Sequence, residues 1–260
     1  MHEAVSRISV LASEQRRIQD LEWWSSETIA VVTGGNRGIG FEIVHQLALH
    51  GVTVVLTSRE TAVGEEAAKF ANVMYGLVNN AGVNFNIGKD NSVEFAEMVI
   101  QVNYFGTKNM IKALVPLMRP SPAGARIVSV TSRLGRLNSK QNGISNVTVR
   151  KQLEDVESLS EEVIDNTVNT FLEQVKEGTW ESGGWPQVFT DYSLSKLAVN
   201  AYTRLMARIF EERPEGHKIY INCYCPGWVK TAMTGWAGHV LLKMQLDTAC
   251  SLACLLPDRL

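Results

Sequence analysis

A glycine-rich turn between a buried-type strand and an amphipathic helix narrows the possible folds of this chain more than any other feature. Residues 28–33 form a short apolar run rich in β-branched side chains that breaks into Gly34-Gly35. Over 37–50, Ile39, Ile43, Val44, Leu47 and Ala48 recur at helical spacing, and the run stops at Gly51. The alternation continues with a strand over 52–58, a helix over 60–70 and a strand over 74–79. A long helix follows over 92–118, with Pro116 near its end, then a strand over 126–131. A helix over 192–211 and a strand over 218–224, closed by Pro226-Gly227, complete the series. Strands that alternate with helices pair in parallel, because each crossover returns the chain to the same end of the sheet. The expected fold is α/β, a single Rossmann-type doubly wound parallel sheet.

Composition is compatible with such a core: 260 residues, 45% apolar and 20% charged. A formal charge of −2 excludes the broad basic field that grips nucleic acid or an anionic membrane. Apolar runs are strand-sized, far short of the ~20 residues of a membrane helix. Glu3, Arg7, Glu14, Arg16 and Arg17 leave no apolar stretch for a secretion signal, so a cytoplasmic protein is expected. Cys223, Cys225, Cys250 and Cys254 lack histidines at zinc-ligand spacing and read as reduced, mostly buried thiols; no metal is expected. Residues 1–27 read as an extension, with a helix over 5–21, and 28–260 as the nucleotide-binding domain. Within it, 133–191 forms an insert with ten acids against four bases over 137–191, and Val163, Val168, Phe171, Leu172 and Val175 mark a helix there.

The turn Gly34-Gly35-Asn36-Arg37-Gly38-Ile39-Gly40 lets the backbone bend tightly and approach a pyrophosphate whose charge sits at the helix N-terminus. Sites for NAD usually carry an acid at the end of the second strand to hold the ribose 2′-hydroxyl. Here that position reads Ser58-Arg59, and Arg37 adds a second cation inside the turn. Arginines attract a 2′-phosphate, so the expected cofactor is NADP(H).

Tyr192 and Lys196 stand one helical turn apart on one face. A phenol with a pKa near 10 is a poor acid at neutral pH, and a neighbouring ammonium is expected to lower it. Tyr104 and Lys108 repeat the spacing, so context must choose between the pairs. Ser132 ends a strand at the carboxyl edge where parallel sheets bind ligands, and Tyr192 opens the helix that follows the insert.

With Asn79-Asn80-Ala81-Gly82, Asn103 and Pro226-Gly227 added in order, the chain resembles the short-chain dehydrogenase/reductase superfamily from about 28 to at least 231. The long insert, Gly184-Trp185-Pro186 and the run from Pro226 to Thr231 resemble its monomeric carbonyl reductases. Trp23-Trp24 and Gly235-Trp236 resemble the plant salutaridine, neomenthol and isopiperitenone reductase-like branch. The resemblance implies that Tyr192 protonates the oxygen of a small apolar carbonyl compound, possible enones included, as hydride arrives from the nicotinamide. Lys196 would tune Tyr192 and bind the nicotinamide ribose, Ser132 would hold the carbonyl oxygen, and Asn103 would anchor a relay water. Asn80, Ala81 and Gly82 would line the cofactor, while Pro226, Gly227, Val229 and Thr231 cover its nicotinamide end. Tyr104 and Lys108 then lie beside Asn103 and are bystanders. The insert covers the face that other members use to dimerise, so a monomer is implied.

Trp185 and Trp228 flank the predicted substrate mouth, which fits an apolar substrate, and aromatic packing accounts for them equally well. The family places a further strand and helix between 60–70 and 74–79, where only Ala71-Asn72-Val73 stand here, and a last strand beyond Leu260. Five strands are expected where the family has seven. Two readings follow: an active NADPH-dependent reductase on a trimmed sheet, or a truncated member that is inactive or unstable and acts at most by binding.

Overall fold

The computed structural model describes residues 27–58, 74–86 and 91–240. Five strands form one parallel sheet in the order β2-β1-β3-β4-β5. They are β1 (Ile29–Thr33), β2 (Thr53–Thr57), β3 (Met74–Asn79), β4 (Ala125–Val130) and β5 (Ile219–Tyr224). The five expected strands are therefore all present, each within two residues of its sequence-based limits.

Strand side chains alternate between faces, and both faces of this sheet are covered. Ala30, Val32, Val78, Val128 and Val130 pack with Ile43 and Leu47 of α1 (Gly38–Leu49). Val31, Leu77, Ile127 and Ile221 point the other way, into the larger core. That core is closed by α2 (Ala96–Ile100), α3 (Gly106–Leu114), α5 (Glu161–Glu177) and α6 (Thr190–Glu211). Burial on both faces explains why the strands read as continuous apolar runs.

The long helix expected over 92–118 is shorter and interrupted. It begins at Ala96, and a π-helical turn over Gln101–Phe105 separates α2 from α3. It closes in a 3₁₀ turn over Val115–Leu117. Pro116 has no N–H for an α-helical bond and so fits such a tightened end.

In the insert, α5 follows the apolar pattern, capped by Ser160 and ended at left-handed Gly178 (φ 72°). An additional helix, α4 (Val147–Glu154), buries only Leu153, which left no periodic signal to find; Asn146 caps it through Thr148 and Val149 N–H groups.

Two expectations need correction. Trp185 is no mouth residue: it is 2% exposed, stacks edge-on against Phe171 at 5.5 Å and donates its indole N–H to Gln174 at 2.7 Å. Of the cysteines, Cys223 is exposed on the edge strand β5 and Cys225 half-buried, rather than both buried. The helices expected over 5–21 and 60–70, together with Arg59, Cys250 and Cys254, lie outside the described residues.

Candidate active site

The carboxyl ends of β1, β3, β4 and β5 share one rim, and the order reverses between β1 and β3, a position where open α/β sheets bind ligands. The glycine turn occupies that point. Gly34 and Gly38 adopt left-handed backbone (φ 64° and 57°). A Cβ on Gly40 would lie 2.3 Å from both the Asn80 amide nitrogen and the Gly34 carbonyl, so only glycine lets α1 come this close. Asn80 donates its amide to the Thr33 and Gly34 carbonyls at 3.0 and 3.1 Å. Thr33 Oγ1 accepts from the Asn80 and Ala81 backbone N–H groups, both at 3.0 Å. The Asn80-Ala81-Gly82 loop is thereby fixed against the turn.

No side chain caps α1, whose N-cap residue is Arg37, so its first N–H groups are open to an anion. Arg37 and Asn36 are exposed, Ile39 is half-buried, and Gly35 N–H donates to the Thr57 carbonyl, which puts half-buried Ser58 beside the turn. From the far end of the rim, Thr231 comes within 3.8 Å of the Cβ position of Gly38. Pro226 and Val229 are buried and Gly227 takes φ 76°. The described sequence-expected cofactor residues thus lie along this rim of the sheet; Arg59 alone lies outside the described residues.

Tyr192 and Lys196 occupy the first turns of α6. Ser132, at the end of β4, lies beside the Tyr192 phenol, close enough to act on its ionisation. Burial pushes the phenol up to about 12, Cys225 nearby adds to the rise, and Ser132 opposes it. Lys196 is 5% exposed, and its ammonium donates to the Val130 carbonyl at 2.8 Å, with the Tyr192 ring centre 5.7 Å away. Burial pushes it down to about 8, against a rise from Cys225. The expected lowering of the phenol by Lys196 is not what this arrangement produces: desolvation of the phenol dominates, and the ammonium is turned to a backbone carbonyl.

Asn103 lies in the π turn, fully buried. Its amide oxygen accepts from Val83 N–H at 2.8 Å; its nitrogen donates to the Val83 carbonyl at 2.9 Å and to Ser195 Oγ at 3.0 Å. It ties the loop after β3 to the Tyr192–Lys196 turn. The Cβ position of Gly82 lies 3.2 Å from Asn103 Oδ1 and 3.4 Å from Lys196 Nζ, so a side chain here would crowd both groups.

The matching pair belongs elsewhere. Tyr104 donates to Asp165 at 2.7 Å, and Lys108 pairs with Asp165 at 2.6 Å and Glu161 at 3.2 Å, fastening α3 to the insert helix α5. Burial and the Asp165 carboxylate drive the Tyr104 phenol far above its ordinary range.

Residues 28–74 and 61–145 match the family model for short chain dehydrogenases. The chain is 36% identical to short-chain dehydrogenase/reductase 1 of Saponaria officinalis, covering 82% of this chain and 85% of the relative. The chain belongs to the short-chain dehydrogenase/reductase family. It is also 31% identical to carbonyl reductase [NADPH] 1 of Mus musculus, over 90% of this chain and 93% of that one. The solved structure of salutaridine reductase from Papaver somniferum superposes with a TM-score of 0.71 at 33% identity, over 89% of this chain and 97% of that chain.

In this family member, sequence reading missed a set of polar residues around the start of α6: Asn86, Asn91, Asn142 and Asp191. Each bonds across more than 45 residues of sequence, so no local pattern betrays them. Among the described residues no cluster of metal-binding side chains occurs, and no helix is long and apolar enough to cross a membrane.

Proposed function

We propose that this chain is an NADPH-dependent reductase of a carbonyl group in a small apolar molecule. The observation that carries the reading is the Tyr192 phenol beside Ser132, at the rim that the glycine turn shares, with buried Lys196 donating to the Val130 carbonyl next to it. Bound NADPH supplies the hydride. A phenol pushed up to about 12 stays protonated across the physiological range, the state a proton donor needs. Ser132 and Tyr192 together take the carbonyl oxygen; as the substrate carbon gains hydride, Tyr192 gives its proton to that oxygen and the alcohol forms. Lys196 keeps a positive charge near the phenolate left behind and reaches the ribose side of the cleft. Asn103 would anchor a water that returns the proton, its Oδ1 and Lys196 Nζ both close to Gly82.

Gly34, Asn36, Gly38, Ile39, Gly40, Asn80, Ala81 and Gly82 hold the dinucleotide, with Pro226, Gly227, Val229 and Thr231 over its nicotinamide end. Arg37, Ser58 and Arg59 favour the 2′-phosphate. Exposed Trp228, Met233 and Trp236 follow the Pro226-Gly227 turn and supply apolar surface for the substrate. The insert helix α5 packs on α6 and through Asp165 on α3, which supports a monomer. Cytoplasmic residence fits the same reading.

A binding-only member is the second reading. The alignment with the Saponaria relative spans 269 positions but uses 82% of this 260-residue chain, so the relative carries stretches without counterpart here. Titration with NADPH, followed by cofactor fluorescence and a panel of cyclic ketones, separates the two. We expect binding and ketone reduction, with Tyr192→Phe losing about 10²–10⁴ in rate and keeping its NADPH affinity. Binding without reduction selects the second reading, and no binding at high micromolar NADPH refutes the reductase.

A further inference from the structure

The helix that carries Tyr192 starts without a cap of its own. Its N-cap residue, Phe189, adopts left-handed backbone (φ 47°) and offers no acceptor, where helices favour Ser, Thr, Asp or Asn. A non-glycine residue persists in that region only where its surroundings over-determine it.

Here they do. Asn142 accepts from Val188 N–H at 2.7 Å and donates to Ser193 Oγ at 3.0 Å, on either side of Phe189. Asn91 accepts from Thr190 N–H at 2.8 Å and donates to Thr190 Oγ1 at 2.7 Å. Asp191 is 1% exposed, and its Oδ1 accepts from Tyr192 N–H at 2.6 Å and from the Asn86 amide at 2.7 Å. Asn86 is itself held, because its oxygen accepts from Ser92 N–H at 2.7 Å. Asp191 Oδ2 is buried without a hydrogen-bond partner.

Resting on the reductase reading above, we propose that Asp191 is the positioning residue of this site: anchored by Asn86, its carboxylate holds the Tyr192 backbone and so sets the phenol against Ser132. A carboxylate in the first turn of a helix gains from the N-terminal dipole, while burial pushes its pKa up. Burial of a carboxyl with one idle oxygen costs stability. Its placement at the residue before the proton donor matches the gain a catalyst draws from fixing a reacting group, where about 1 Å of misplacement costs on the order of 10²-fold.

The test compares Asp191→Ala, Asp191→Asn and Asn86→Ala with the wild type for ketone reduction, NADPH binding and thermal stability. Asp191→Ala is expected to lose about tenfold or more in kcat, with KM and NADPH affinity unchanged. Asp191→Asn keeps the Oδ1 acceptor and recovers most of the rate; Asn86→Ala falls between. Unchanged kcat in Asp191→Ala, or equal losses in Asp191→Ala and Asp191→Asn, overturns the proposal. Where Asp191→Ala does not fold, an unchanged kcat in Asn86→Ala does so. A wild type that reduces no ketone sinks the reductase reading instead. Crystal structures of the wild type and Asn86→Ala then decide: a phenol oxygen drawn off Ser132 supports positioning by this pair, and an unmoved one refutes it.

Discussion

Lys196 donates its ammonium to the carbonyl of Val130, the last residue of β4, at 2.8 Å. This bond anchors the helix that bears Tyr192 to the strand that leads into Ser132. It also places a cation in a buried setting that pushes its pKa down to about 8.

Two consequences follow for pH. Reduction rate is expected to stay level to about pH 7 and to fall as pH rises through about 8, where Lys196 loses its charge. Stability moves the opposite way. Between about 8 and the ordinary value of 10.5 the unfolded chain keeps a proton that the folded chain has released, so stability rises with pH across that window. Tyr192, raised to about 12, reverses the gain above pH 10, where the unfolded phenol ionises first. Urea unfolding at pH 7 and 9.5 checks this: Lys196→Met should exceed the wild type by up to about 3 kcal/mol at pH 7 and by only about 1.4 kcal/mol at pH 9.5.

The clasp on the insert predicts a purely structural loss. Lys108 is 6% exposed, and Asp165→Ala removes its nearest partner and the acceptor for Tyr104. Stripping one side of a buried pair costs about 3–5 kcal/mol. Glu161 remains 3.2 Å from Lys108, so about 2–3 kcal/mol is expected. Chemical denaturation reads it, while specific activity of the folded fraction should not change.

Gly40→Ala puts a methyl 2.3 Å from Asn80 and the Gly34 carbonyl, so the glycine turn must move. Overpacking of this kind costs about 1–3 kcal/mol, and we expect NADPH affinity to fall by about tenfold or more. Gly51→Ala is the control: it is strained by φ 81° but meets nothing within 4 Å, and should lower stability alone.

Arg37→Ala tests the proposed recognition of the 2′-phosphate. NADPH affinity should fall about tenfold with NADH affinity unchanged, measured by fluorescence titration of both. Equal losses would remove Arg37 from 2′-phosphate recognition.

By itself the sequence determined the sheet and the order of motifs along its carboxyl edge. Five apolar runs, the glycine turn and the motifs from Asn80 to Pro226-Gly227 lie in local order, and strand period and glycine geometry are local properties. The strands landed within two residues of their expected limits, and the described residues of the glycine turn, the Asn80-Ala81-Gly82 loop and the Pro226-Gly227 turn lie at the carboxyl end of the sheet. What only the tertiary structure decided is the meaning of side chains whose neighbours are remote in sequence. Tyr104–Lys108 and Tyr192–Lys196 share one spacing; Asp165 makes the first pair a clasp, and Ser132 with Val130 gives the second its rim. Trp185 moved from the expected mouth into the core because Phe171 and Gln174 of the insert helix receive it. The π turn at Asn103, the left-handed Phe189 and the hold of Asp191 on Tyr192 left no local signal. Each is stabilised by hydrogen bonds that form only after the loop following β3, the insert and α6 have packed together.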